Sequence, residues 1–385
     1  MSNPNIEIVP LGEASQRGTW RYNSIADHPE YVPIDPEKVA FMRKRISERM
    51  PTGVVSDAVR ETFAAPAQYR PATRSMFPGG LGYVQTAYIG SLVLPEWQAQ
   101  PVGGRPKEQA SYPVTGTEKF TINDREIGPG EKPDRVDIAV SFTALTLKVY
   151  GGSVMVEDRE RDEAAGNLAG LDLDMYKLGV IETATNTLKE KHQATLVKTT
   201  GNYSSGTYYT TLSGSTQWSH ASGVAIDNIA GAKRTVAKGA LEDPDLLWLS
   251  PDAFTALRKN AQVLTAVQYG GDKVSPGTMV PPSTLVALFG LNIAIGGARN
   301  ATTPGGAVSE IWGQDAGLVC TAPGQMLGVR FGVTATSTAY PYQATERQGL
   351  IGGRGGDESV YTDAWKVAVV KNTAGYLWVN ASTAY

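Results

Sequence analysis

The chain has one cysteine, three histidines and no apolar run long enough to cross a bilayer, and each shortage removes a class of function. With Cys320 alone there is no intramolecular disulfide, and that residue reads as a small buried hydrophobe in a reducing compartment. His28, His192 and His220 are far apart and no HExxH or Cys/His cluster accompanies them, so neither a zinc site nor a triad is signalled. There is no GxSxG and no GxxxxGK[ST]. The nearest glycine-rich stretch, residues 352–357, lacks the GxGxxG spacing and a preceding apolar strand, and reads as a loop. The most membrane-like segment, residues 285–295, is broken by Gly290 and Asn292 and falls far short of about 20 residues. Residues 1–10 lack the basic segment and apolar run of a secretory signal, so a soluble protein is expected. No catalytic, cofactor-binding or metal-ligating residue is assigned.

Charge is also scarce. Charged residues are 19% and the formal net charge is -3, which argues against disorder and against a nucleic-acid binder that works by overall positive charge. Proline is missing from the whole of residues 134–243, whereas the first 133 residues hold 15 of the 23. Because proline deletes a backbone donor, the proline-free span is where continuous hydrogen-bonded structure is easiest to build.

Within that span, residues 171–193 read as one long helix. Leu171, Met175, Leu178, Ile181, Ala184 and Leu188 draw one stripe at helical spacing and predict one buried face. Asp172 and Asp174 near the start, with Lys189, Lys191 and His192 near the end, complement the helix dipole. At 1.5 Å per residue this rod is roughly 33 Å long, a spine for a small domain.

Upstream, Asp35 and Pro36 cap a helix carrying Val39, Met42, Ile46 and Met50 on one face and Arg43, Lys44, Arg45 and Arg49 on the other. Val136, Ile138, Val140 and Phe142 alternate as a strand, and Leu145, Leu147 and Val149 alternate on the other phase, which predicts a bulge or crossover near Thr143. A partner strand is expected within residues 112–122. A ribbon of two strands is marginal alone, so it lies on something else, a neighbouring subunit included. The acidic run from Glu157 to Glu163, interleaved with Arg159 and Arg161, reads as a solvated helix start.

Downstream, residues 226–238 make a shorter helix. Leu246 to Leu249 is a short apolar strand, and Ser250 with Pro251 caps a helix to about Asn260. A helix at 284–289, strands at 291–295, 311–312 and 317–321, and a closing hairpin of 365–370 with 376–379 complete an α+β pattern.

This order of parts, with the Leu246-Leu-Trp-Leu-Ser-Pro-Asp-Ala-Phe junction and Leu-Phe-Gly-Leu at 288–291, resembles the major capsid proteins of tailed bacteriophages. Their fold is named after phage Hong Kong 97. The resemblance covers roughly residues 95–385. It implies an N-terminal arm (1–94), an extended two-stranded loop (95–155), a peripheral domain with the spine helix (156–240, completed by 341–385) and an axial domain (241–340). It further implies a virion protein that is not an enzyme and takes no cofactor, assembling in the host cytoplasm as hexamers and pentamers around non-specific double-stranded DNA, with no membrane involved. Some relatives carry a long, cleaved N-terminal scaffolding segment. This chain keeps Met1 and lacks a long charged helical stretch ahead of its arm, so a separate scaffolding protein is expected, with a portal and a possible decoration protein. Ile138, Val140 and Phe142 are the intersubunit candidates, and Arg43, Lys44, Arg45 and Arg49 the inner-surface basic candidates.

Two other readings compete. An encapsulin-like bacterial compartment resembles the same fold, holds a cargo enzyme and tends to have a shorter arm and loop. A β-rich binding protein or enzyme would use Trp20, Trp97, Trp218 and Trp312 as stacking platforms, although isolated aromatics more often lie in cores or interfaces.

Overall fold

The computed structural model describes residues 19–22, 29–32, 81–99, 109–115, 140–167, 172–269, 279–301, 303, 305–322, 328–349 and 355–383. The chain divides into two compact units, Met1–Ala72 and Thr73–Tyr385. In the first, β1 (Thr19–Tyr22) and β2 (Pro29–Val32) form an antiparallel ribbon with Thr19 opposite Val32. The helix expected after Asp35, with Arg43, Lys44, Arg45 and Arg49, lies outside the described residues.

The second unit begins with β3 (Tyr83–Thr86), a single helical turn α1 (Gly90–Val93) and β4 (Glu96–Ala99). Strands β5 (Gln109–Thr115) and β6 (Val140–Thr146) pair antiparallel as the ribbon, with Gln109 opposite Thr146. The ladder runs unbroken through Thr143, opposite Tyr112, so the interruption expected there falls instead at Leu147, before β7 (Lys148–Glu157). Helix α2 (Asp158–Asn167) leads to the spine α3 (Leu173–Lys198), 26 residues and about 39 Å long. Its N-cap is Asp172, whose carboxylate accepts the N–H groups of Asp174 and Met175, both at 3.1 Å.

Next come the edge strand β8 (Tyr209–Thr211), α4 (Ala225–Ala240), β9 (Leu246–Leu249), α5 (Pro251–Lys259) and α6 (Ala261–Tyr269). Ser250 caps α5 by accepting the Ala253 N–H at 3.2 Å, with Pro251 as the first helical residue. Helix α7 (Pro282–Phe289) stops at Gly290, whose φ of +60° suits a residue without Cβ, and β10 (Asn292–Gly296) follows. The ribbon β11 (Arg299–Ala301) and β12 (Val308–Glu310) precedes β13 (Ala316–Val319), β14 (Gly332–Ser337), β15 (Tyr342–Gln348), β16 (Gly356–Val369) and β17 (Gly375–Val379).

Two mixed sheets carry the unit. One has the order β3-β10-β9-β13-β17-β8; in the other, β15-β16-β14-β4, the strand β7 also pairs with β16. Central strand β9 is buried on both faces, as its unbroken apolar run requires. Leu247 and Leu249 meet α4 to α7 through Ile229, Phe254, Leu257, Val263 and Leu285, while Leu246 and Trp248 turn to the face holding Ile89, Val197, Trp312 and Phe331.

The buried face of the spine differs from the periodic reading. Met175, Ala184 and Leu188 are exposed, Leu178 and Ile181 are half-buried, and Leu171 lies outside the described residues. The buried positions are Thr185, Glu190, Gln193, Ala194 and Val197. Polar groups can take buried positions when their hydrogen bonds are made, and a stripe built only from apolar residues misses them.

The closing hairpin is also corrected. Residues 365–369 of β16 pair with β14, Trp365 opposite Thr336 and Val369 opposite Gly332, whereas β17 pairs with β13 and β8 in the other sheet. The Phe331 carbonyl accepts the N–H groups of Val370 (2.8 Å) and Lys371 (3.2 Å), and the chain there passes from one sheet to the other. Ile311 and Trp312, expected as strand, lie in the turn after β12.

Because Leu247 is fully buried between β9 and the helical layer, Leu247→Ala is expected to lower the unfolding free energy of the dissociated subunit by about 2 to 5 kcal/mol. Loss of the cap in Ser250→Ala should cost about 1 kcal/mol. Denaturant unfolding measures both, and the reverse order would refute this account of the core.

Candidate functional site

The spine meets the segment 81–99 through side chains that are mostly polar. Glu190 is 2% exposed. Its Oε1 accepts the N–H of Ile89 (2.9 Å), the N–H of Gly90 (3.0 Å) and the indole N–H of Trp312 (2.8 Å), and Oε2 accepts Gly90 again at 2.9 Å. Only glycine permits this approach, because a Cβ at position 90 would lie 2.0 Å from Gln193 Oε1. Gln193 Nε2 donates to Thr334 Oγ1 (2.8 Å), and that hydroxyl donates to the Leu94 carbonyl (3.1 Å). On either side, Tyr88 OH bonds Thr187 Oγ1 (3.0 Å) and Lys189 Nζ reaches Glu96 (3.0 Å) and Asp363 (3.6 Å). One segment supplying β3 to one sheet and β4 to the other is thus fastened to the spine at its middle. Burial pushes the Glu190 carboxyl up to about 7, against the pull of the Ile89, Gly90 and Trp312 donors and of Lys189.

Nothing in the sequence marked Glu190 or Gln193. Glu190 sits between Lys189 and Lys191 and reads as a solvated helix face. Only its separation by three from Gln193 placed the two on one side.

The acidic run is more than a solvated helix start. Arg161 pairs with Asp174 (2.7 Å), Asp357 (2.7 Å) and Asp158 (3.2 Å), and Arg347 pairs with Asp158 and Asp357. These contacts tie α2 and α3 to β15 and β16. The Arg347 hydrogen bond holds the Asp158 carboxyl below the usual carboxylate range, and Arg161 does the same first for Asp357.

The ribbon is anchored at its base. Trp97 packs edge-on against Tyr112 with ring centroids 4.9 Å apart, and Leu147 and half-buried Leu145 pack on Ala335 of β14. Val140 and Phe142 lie on β6, whereas Ile138 lies outside the described residues. On the spine, Met175, Tyr176, Val180 and Leu188 are exposed, Tyr176 at 60% and Val180 at 53%.

Other candidates are placed as follows. His192 accepts the Trp365 indole N–H at Nδ1 (3.2 Å), and exposed His220 bonds Ser222. His28 is outside the described residues. Burial pushes the Cys320 thiol well up, leaving it a poor nucleophile. Among the described residues no group of His, Cys, Asp and Glu is placed to hold a metal ion, and no helix is long and apolar enough to cross a membrane. Trp218 and Trp312 are fully buried, which removes them as stacking platforms. Trp97 is half-buried and committed to Tyr112.

Neither a protein-family model nor a curated protein sequence matches the chain. Solved structures do match. A phage-related protein from Bordetella bronchiseptica RB50 superposes with a TM-score of 0.59 at 21% identity, covering 78% of this chain and 94% of that one. The capsid of cyanophage P-SCSP1u is 13% identical with a TM-score of 0.49, covering 79% of this chain and 91% of that one. The encapsulin of Synechococcus elongatus is 12% identical with a TM-score of 0.41, covering 78% and 91%. The chain has the α+β Hong Kong 97-like fold.

Arg161→Ala removes the cation shared by three carboxylates. A depressed carboxylate stabilises the fold above the ordinary carboxylate range and loses that contribution as pH falls through its folded value. The variant is therefore expected to show a lower urea midpoint than the natural chain at pH 7, with the gap closing in acid. An equal gap at both pH values would show that the charges contribute nothing.

Proposed function

We propose that this chain is the structural major capsid protein of a tailed bacteriophage, which self-assembles as hexamers and pentamers into the icosahedral or prolate head shell around double-stranded DNA. The observation that carries the reading is the fold, matched over 78% of the chain. Two features support it. The ribbon is held at its base only among the described residues, and the spine keeps an uncovered apolar row from Met175 to Leu188. A surface of that kind is more at home in an assembly than on a lone subunit.

In this reading residues 241–340 form the axial domain nearer the axis of each capsomer, residues 156–240 with 341–385 form the peripheral domain that carries the spine, and residues 95–155 form the extended loop. Ile138, Val140 and Phe142 contact a neighbouring subunit, and Arg43, Lys44, Arg45 and Arg49 face packaged DNA. A separate scaffolding protein guides assembly in the host cytoplasm, a portal occupies one vertex, and a decoration protein is an optional addition. The role is structural, without catalysis or cofactor.

Negative-stain microscopy and sedimentation of the full chain, alone and with neighbouring gene products, test the proposal. Closed shells that take up nucleic acid are expected. Shells enclosing an enzyme would support a bacterial compartment, and a monomer that persists at high concentration in all conditions would exclude both.

The ribbon gives a sharper expectation. Burying Val, Ile or Phe is worth roughly 1.5 to 3 kcal/mol each, so Ile138→Ser with Phe142→Ser should block or weaken shells while leaving the melting of the dissociated subunit nearly unchanged. Leu145→Ser with Leu147→Ser should instead destabilise the subunit itself, by an amount on the order of 2 to 5 kcal/mol for the better buried position. The opposite pattern in thermal unfolding and sedimentation would reverse the placement of the ribbon.

A further inference from the structure

The C-terminal part of the spine carries positive charge that the fold does not neutralise. Lys191, Thr195 and Lys198 fall on one face of α3, and with Thr199 at its end they form one wall of a cavity of about 400 Å³. The ribbon of β11 and β12 supplies the other wall through Asn300, Ser309 and Glu310, followed by Ile311. The acids at this place are already matched. Glu310 pairs with Arg299 at 3.4 Å, and nearby Asp315 is held by Lys198 (3.4 Å) and by the Asn380 N–H (2.9 Å). Lys198 also donates to the Ile311 carbonyl at 3.2 Å, and the Thr195 and Thr199 hydroxyls donate to the carbonyls of Lys191 and Thr195, both at 2.7 Å. Two donors are left over. Among the described residues the Lys191 ammonium has no ion pair and no hydrogen bond. Asn300 accepts the Ser309 hydroxyl at Oδ1 (3.0 Å), which leaves its amide N–H groups without a partner among the described residues. Lys148 and Lys366 extend the positive field. Burial, and then Lys191, Lys148 and Lys366, favour the neutral form of the adjoining His192, and none of these three lysines is ion-paired among the described residues.

We propose that this cavity binds the phosphate groups of a nucleic-acid backbone, with Lys191 and Asn300 as donors from its two walls and Lys198 as a second cation. Charge selects the ligand. A cation would face Lys191 and a carboxylate already matched by Arg299, and a neutral ligand would leave Lys191 uncompensated. Pockets of roughly 300 to 1,000 Å³ that hold small organic ligands are mostly apolar, whereas among the described residues lining this one Ile311 alone is apolar. No aromatic ring lies among those residues to stack on a base. Lysine with Asn, Ser and Thr is the set of side chains that grips phosphate and sugar without reading base edges, so binding here is independent of sequence. An acidic side chain of a second copy would answer one lysine. A continuous polyanion crossing the cavity answers Lys191 and Lys198 and also lies in the field of Lys148 and Lys366. The choice of nucleic acid as the source of the phosphate rests on the capsid reading; the unmatched donors do not.

Fluorescence anisotropy of short dye-labelled DNA duplexes of two unrelated sequences, titrated with the dissociated full chain over a series of salt concentrations, tests the site. In the natural chain the affinity is expected to fall as salt rises. Lys191→Ala should weaken binding to both duplexes alike and reduce the magnitude of the slope of log K against log salt by about 0.9, the value of one phosphate contact. Thr195→Glu, which sets a carboxylate at an exposed position between Lys191 and Lys198, should weaken binding further. Lys238→Ala on α4 removes the same charge away from the cavity and should leave slope and affinity close to those of the natural chain. An unchanged slope in Lys191→Ala, an equal loss in Lys238→Ala, or no binding by the natural chain would overturn the proposal. So would a Lys191→Ala chain that binds DNA normally and no longer forms shells, since the cavity would then take an acidic group of a second copy. Sedimentation of the same variants keeps the two proposals apart. Normal shells with an unchanged slope refute the phosphate site and leave the capsid reading, whereas the expected change of slope in a chain that never forms shells refutes the capsid reading and leaves the site.

Discussion

The subunit depends on burying polar groups that find their partners. The spine crosses segment 81–99 at Glu190 and Gln193, whose hydrogen bonds to Ile89, Gly90, Trp312 and Thr334 fill a contact that apolar side chains would occupy in a simpler helix–sheet pair. Buried groups of this kind are costly when unpaired, so the geometry around them is specified closely. Gly90 follows from it, since no side chain fits between the turn and Gln193. So does the course of the chain, because the same segment must then supply a strand to each sheet. The second crossing, at Phe331 and residues 370–374, closes the connection between the sheets from the other end.

Local signals in the sequence were legible where a short stretch decides its own structure. The apolar run Leu246–Leu249 followed by Ser250 and Pro251 specifies a buried strand, a cap and a first helical turn, and all three are present. Asp172 caps the start of the spine rather than lying inside its first turn, and of the alternating Leu145, Leu147 and Val149 the two leucines turn toward the body while Val149 is exposed. The failures share a cause. Two neighbouring strand patterns at 365–379 look like a hairpin, but which strand each one pairs with is decided by β13 and β14, far upstream in the chain. Helical periodicity counts apolar residues only, so it assigned the spine's buried face to Met175 and Leu188 and passed over Glu190 and Gln193.

The candidate site was less legible than the fold. Val140 and Phe142 are on the ribbon as alternation indicated, yet the position of a contact with a neighbour depends on a second copy and not on this chain's own pattern. The acidic run at 157–163 has an ordinary composition, and its role emerges only when Arg347 and Asp357, nearly 200 residues later, fold back on it. Long-range charge networks leave no local trace.

If the polar junction, and not the apolar stripe, holds the spine in place, two single substitutions separate the alternatives. Gln193→Ala leaves the Thr334 side of the junction short of a donor and should cost about 1 to 3 kcal/mol, whereas Leu188→Ala at an exposed position should stay within about 0.5 kcal/mol. The measurement is the unfolding free energy of the dissociated subunit for each variant. A larger loss for Leu188→Ala than for Gln193→Ala would contradict the account.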